Sequence, residues 1–183
     1  MKTEFSKSYV LANKGCYEIE DVNVLPFDKE GNITAKTLFE VLPIKDFAWF
    51  LVNGCELTTK QKQLFALECA KWVLPIYQKR YPNDTRVSDC INAIHLYLDG
   101  KMSSEELEVK IDAAYATYAT YDAATYATYA TTYAAYDAAT YATYAAANAA
   151  YAAANAANAA ANDANAFREF ISNYVFVTLV KSK

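Results

Sequence analysis

The clearest helical signal in the chain is "TRVSDCINAIHLYLDG", where Val87, Cys90, Ile91, Ile94 and Leu98 recur at i, i+3, i+4, i+7 and i+11. Apolar residues at that spacing line one face of a 3.6-residue helix. Asp84 can cap its start, and Gly100 its end. The preceding stretch, "LTTKQKQLFALECAKWVLPIYQKRYPND", predicts a longer helix capped by Thr58 or Thr59, with Leu64, Leu67, Trp72, Leu74 and Ile76 joined by Ala66 and Ala70 at helical spacing. Pro75 lacks an amide hydrogen and crowds the carbonyl four residues back, which predicts a kink or an end there. "YPND" reads as the turn that follows.

Upstream the pattern is mixed. "SKSYVLANKGC" predicts a short helix stopped by Gly15, and Val22, Val24 and Ile33 alternate enough to suggest a small hairpin. "TAKTLFEVL" and "KDFAWFLVNG" predict two short helices separated by Pro43, the second ended by Gly54, with Phe47, Trp49, Phe50 and Leu51 in the core. Downstream, Ser103 followed by Glu106 forms a capping box, and no Gly or Pro occurs from there to Lys183. At the C-terminus Phe167, Phe170, Ile171 and Tyr174 stand at helical spacing and predict a segment that docks on the N-terminal helices, while the β-branched run "VFVTLV" leaves a strand open. The fold class expected is mainly α: a helical bundle with a long Ala/Tyr/Asn-rich helix or helical hairpin and a small N-terminal β-hairpin. The expected divisions are a mixed segment at 1–57, a helix pair around the YPND turn at 58–102, and the repeat with its docking helix at 103–183, all in one continuous domain.

Residues 121–150 are two copies of one fifteen-residue phrase written in Ala, Tyr, Thr, Asn and Asp. Plotted at 100° per residue, Tyr115, Tyr118, Tyr126, Tyr129, Tyr133, Tyr136, Tyr141, Tyr144 and Tyr151 fall on one stripe with Asp122 and Asp137, and Asn148, Asn155, Asn158, Asn162 and Asn165 continue it. The opposite side is almost pure Ala. Ala favours helix and close backbone approach, whereas Tyr offers rigid ring area and a hydroxyl that Asp or Asn can accept. The expected partner-binding residues are therefore Tyr115, Tyr118, Asp122, Tyr126, Tyr129, Tyr133, Tyr136, Asp137, Tyr141, Tyr144 and Tyr151. A single helix from Ser103 to Ala166 would be about 95 Å long, against a radius of gyration of about 16 Å for a compact chain of this size. Either it folds back, with a change of period at 145–150 as the place for the bend, or it pairs with another chain.

Charge narrows the function classes. The 183-residue chain carries 17 Lys and Arg against 21 Asp and Glu, a formal charge of −4. Residues 111–166 contain Asp112, Asp122, Asp137 and Asp163 and no base, which argues against a phosphate-backbone grip there. Lys60, Lys62, Lys71, Lys79, Arg80 and Arg86 make a loosely basic region that reads as a solvated face. No apolar run reaches membrane-spanning length and the first residues have no secretory pattern, so a cytoplasmic location is expected. Cys16, Cys55, Cys69 and Cys90 are too scattered for a metal site and read as reduced structural thiols. Phosphate-loop, dinucleotide and hydrolase motifs are missing from the sequence, and neither a Cys nor an acid stands at a spacing that would orient His95 for catalysis. The expectation is a protein without enzymatic activity, cofactor or metal.

The segments "CAKWVLPIYQKRYPNDTR", "AIHLYLDG" and "SSEEL", followed at once by an Ala-rich helical stretch, give residues 57–150 a resemblance to the immunity proteins of bacterial polymorphic toxin systems and to similar phage-encoded proteins of unassigned role. That resemblance implies an all-helical binder that inhibits a protein effector or, in a phage, a host defence protein. Two other classes stay open: a small-ligand or nucleotide-signal sequestering protein, and a coiled-coil homo-oligomer assembled through the Ala face.

Overall fold

The computed structural model describes residues 1–13, 22–115, 152 and 164–179. Those residues form a mainly helical bundle with one two-stranded β element, and fall into two compact units, Met1–Thr58 with Arg168–Lys183, and Thr59–Phe167.

The first unit begins with β1 (Glu4–Ser6), which pairs antiparallel with β2 (Asn32–Thr34) in the register Phe5 opposite Ile33. Phe5 and Ile33 are buried while Glu4 and Thr34 face outward, the period-two pattern of a half-buried pair. Each strand ends on the cap of the next helix. Ser6 Oγ accepts the Tyr9 amide at 3.3 Å to start α1 (Lys7–Ala12), and Thr34 Oγ1 accepts that of Thr37 at 3.1 Å to start α2 (Ala35–Val41). The small β element keeps Ile33 but not Val22 and Val24, because Val22–Val24 forms a 3₁₀ turn. The partner of Ile33 comes instead from the N-terminus, where Phe5 has the larger apolar surface to bury. Helix α1 stops at Asn13, two residues before Gly15, because Asn13 donates both its backbone N–H and its side-chain amide to the Tyr9 carbonyl.

Helix α3 (Ile44–Gly54) begins after Pro43 and ends at Gly54, as its breakers predict. Phe47, Phe50 and Leu51 are buried and Trp49 is half-buried. A Cβ on Gly54 would stand 2.8 Å from the Phe50 ring, which is fixed edge-on against Phe5 with centroids 4.9 Å apart. Glycine here is a packing requirement.

The C-terminal chain of this unit is helical throughout its described length: α7 (Ala164–Asn173), whose first four residues belong to the second unit, runs into a π-helical turn at Tyr174–Leu179. "VFVTLV" is therefore no strand as far as Leu179, because Val175 and Leu179, four apart, are buried together on one helical face. The docking on the N-terminal helices is real. Arg168 donates to the carbonyls of Phe39 and Leu42, the unsatisfied C-terminal end of α2, and its guanidinium lies 4.8 Å over the Phe39 ring. Phe176 packs on the same ring, centroids 5.7 Å apart.

The second unit contains α4 (Thr59–Arg80), α5 (Arg86–Leu98) and α6 (Ser104–Tyr115), with α5 packed against both of the others. The buried stripe of α4 is Phe65, Cys69, Val73 and Tyr77, flanked by Ala66, Leu67 and Ala70. Of the expected positions Ala66, Leu67 and Ala70 are buried, whereas Leu64, Trp72, Leu74 and Ile76 sit half-buried on the margins. Trp72 packs on Phe167 there, centroids 4.8 Å apart. Pro75 does not end α4: it removes one backbone hydrogen bond, to the Lys71 carbonyl, and the buried Tyr77 keeps the helix going beyond it. Of the α5 stripe, Val87, Cys90, Ile91 and Ile94 are buried as predicted and Leu98 is half-buried, each large buried side chain contributing about 1.5–3 kcal/mol. A Schellman motif closes α5, with Gly100 at φ +71 and bonds from Gly100 N–H to the Tyr97 carbonyl and from Lys101 N–H to that of Leu96. The Ser103–Glu106 capping box opens α6, with bonds of 2.9 and 3.2 Å.

Candidate interaction site

Of the residues expected on the Tyr/Asp ridge, Tyr115 is the last residue of α6. Tyr118, Asp122, Tyr126, Tyr129, Tyr133, Tyr136, Asp137, Tyr141, Tyr144 and Tyr151 lie outside the described residues, as does the change of period at 145–150.

Within them a shallow surface depression occurs at the turn joining α4 to α5. Tyr81, Pro82, Asn83 and Asp84 make a β-turn closed by the Asp84 amide on the Tyr81 carbonyl at 3.1 Å, with Pro82 at the position its fixed φ suits. Asp84 then serves the next helix from one residue outside it. Thr85 is the N-cap by backbone, but its side chain makes no capping bond, and Asp84 Oδ1 accepts the Arg86 amide at 3.1 Å. The same carboxylate takes Arg86 Nε at 2.9 Å and Nη2 at 2.5 Å in a fork, and the hydroxyl of the buried Tyr77 at 2.8 Å. The Arg86 side-chain bonds, more than the opposing desolvation, hold the Asp84 carboxyl well below the usual carboxylate range, and Asp84 in turn raises the Arg86 guanidinium. Arg80, Tyr81, Asn83, Thr85 and Arg86 border a shallow, solvent-open depression at this turn. The turn is thus tied together by a carboxylate that accepts four hydrogen bonds, from a buried hydroxyl, a backbone amide and two guanidinium nitrogens.

The turn itself was legible from Pro82 and Asp84. Its bond network was not, because that depends on Tyr77 reaching back across the loop from the buried face of α4.

His95 differs from expectation in one respect. An acid does stand near it: Asp99, one helical turn on, has Oδ2 3.7 Å from Nδ1. That carboxylate is engaged mainly by Lys101 at 3.1 Å, which lowers its pKa, and His95 is exposed. Cys55, Cys69 and Cys90 are free and buried; burial pushes the Cys55 and Cys90 thiols up to about 12 and Cys69 well above its ordinary value. Cys16 lies outside the described residues. Among the described residues no cluster of three or more His, Cys, Asp or Glu could hold a metal ion, and no helix is long and apolar enough to cross a membrane.

The described residues are a mainly helical bundle with one two-stranded β element. The chain matches the model of the family Immunity protein Imm5 over residues 49–171 and belongs to that family. The match starts within α3, takes in α4 to α6 and the repeat, and ends within α7; the resemblance seen at 57–150 lies inside it. No curated protein and no solved structure matches the chain.

Proposed function

We propose that the protein is an immunity-type inhibitor: a cytoplasmic, non-enzymatic protein that neutralises a protein effector by binding it directly and stoichiometrically. The observation that carries this reading is membership of the Immunity protein Imm5 family across residues 49–171. The contact surface is the ridge of Tyr115, Tyr118, Tyr126, Tyr129, Tyr133, Tyr136, Tyr141, Tyr144 and Tyr151 with Asp122 and Asp137. Its chemistry suits the role, since Tyr adds large contact area at the expense of few rotamers, and aromatic anchors dominate tight interfaces. With four acids and no base in residues 111–166, the ridge favours a basic effector surface.

The test is capture of a partner by the tagged full chain from the cells that encode it, followed by sizing and by expression of that partner alone. A one-to-one complex whose partner arrests growth alone, and not with the chain, is the expected result. A preparation without a stoichiometric protein, or a partner whose toxicity the chain leaves unchanged, contradicts the proposal. A partner that is a defence protein acting against phage would replace toxin immunity with counter-defence. Replacing Tyr126, Tyr129, Tyr141 and Tyr144 together with Ala should abolish binding without unfolding the protein; retained binding would remove the ridge from the interface.

A further inference from the structure

We draw no further inference here: the strongest candidate, the outward face of α6 on which Val109 is exposed together with Glu105, Glu108 and Asp112, is an acidic cluster around one apolar side chain, and nothing in the structure shows what covers it.

Discussion

Replacing Asp84 with Ala removes the acceptor on which the α4–α5 turn is built. Asp84 receives the Tyr77 hydroxyl at 2.8 Å, the Arg86 amide at 3.1 Å, and Arg86 Nε and Nη2. The Arg86 side chain is 45% exposed, so water replaces its partner and that ion pair accounts for at most about 1 kcal/mol. The capping bond adds about 1 kcal/mol. Tyr77 is only 1% exposed, and depriving its hydroxyl of this acceptor adds about 1–2 kcal/mol. The expected loss is about 3 kcal/mol, or about 6–12 °C in melting temperature for a chain of this size. Urea titration followed by circular dichroism reads it directly. Tyr77→Phe should cost about 1 kcal/mol in the wild-type background and clearly less once Asp84 is Ala, since the bond between the two is then already gone. Equal costs in the two backgrounds would refute the proposed bond network. The pH dependence supplies a second reading. The folded-state pKa of Asp84 is depressed, so its contribution is complete above the unfolded value of about 3.9. It is lost as pH falls from there through the folded value, and the gap between wild type and Asp84→Ala should close in that window. A gap that widens in acid would contradict the assignment.

Arg168→Ala should destabilise the protein by about 2–3 kcal/mol, because it strips the donors from the Phe39 and Leu42 carbonyls and the cation from the Phe39 face; Arg168→Lys, lacking the planar fork, should recover less than half in the same denaturation assay. Pro75→Ala should stabilise by about 1–2 kcal/mol, since α4 is already helical through that exposed position and the Lys71 carbonyl gains a donor, less the entropy that proline removes from the unfolded chain; a loss of stability would mean that α4 needs the proline. With Cys16 changed to Ser, the native protein should react with a thiol reagent at neutral pH only through global unfolding, because Cys55, Cys69 and Cys90 are buried and their thiols are held protonated; a fast stoichiometric phase would contradict their burial.

How far the sequence discloses this fold can be argued from particular residues. The ends of α3, α5 and α6 were legible because they are encoded locally, by Pro43 and Gly54, by Gly100, and by Ser103 with Glu106. The face of α4 was located only in part: Ala66, Leu67 and Ala70 are buried as expected, but Leu64, Trp72, Leu74 and Ile76 are as apolar as the residues that are buried, and only tertiary packing chooses Phe65, Cys69, Val73 and Tyr77. The β element was assigned the wrong partner for a related reason. Pairing between Phe5 and Ile33 is non-local, and neither three-residue strand carries enough alternation to announce itself. The role of Arg168 leaves no pattern in the sequence, since its acceptors are backbone carbonyls 126 and 129 residues away. The turn at Arg80–Arg86 was half visible. Proline and aspartate marked it, while the bond from Tyr77 that ties it together required the buried face of α4 to be known.

The central claim is direct neutralisation of a protein effector, and the most direct measurement is growth of cells carrying the captured effector under separate control from this chain. Wild-type chain should restore growth in proportion to its level and saturate at one chain per effector, while the Tyr126, Tyr129, Tyr141 and Tyr144 quadruple Ala variant, expressed equally, should fail to do so. Growth arrest that persists with the wild-type chain in excess would contradict the account.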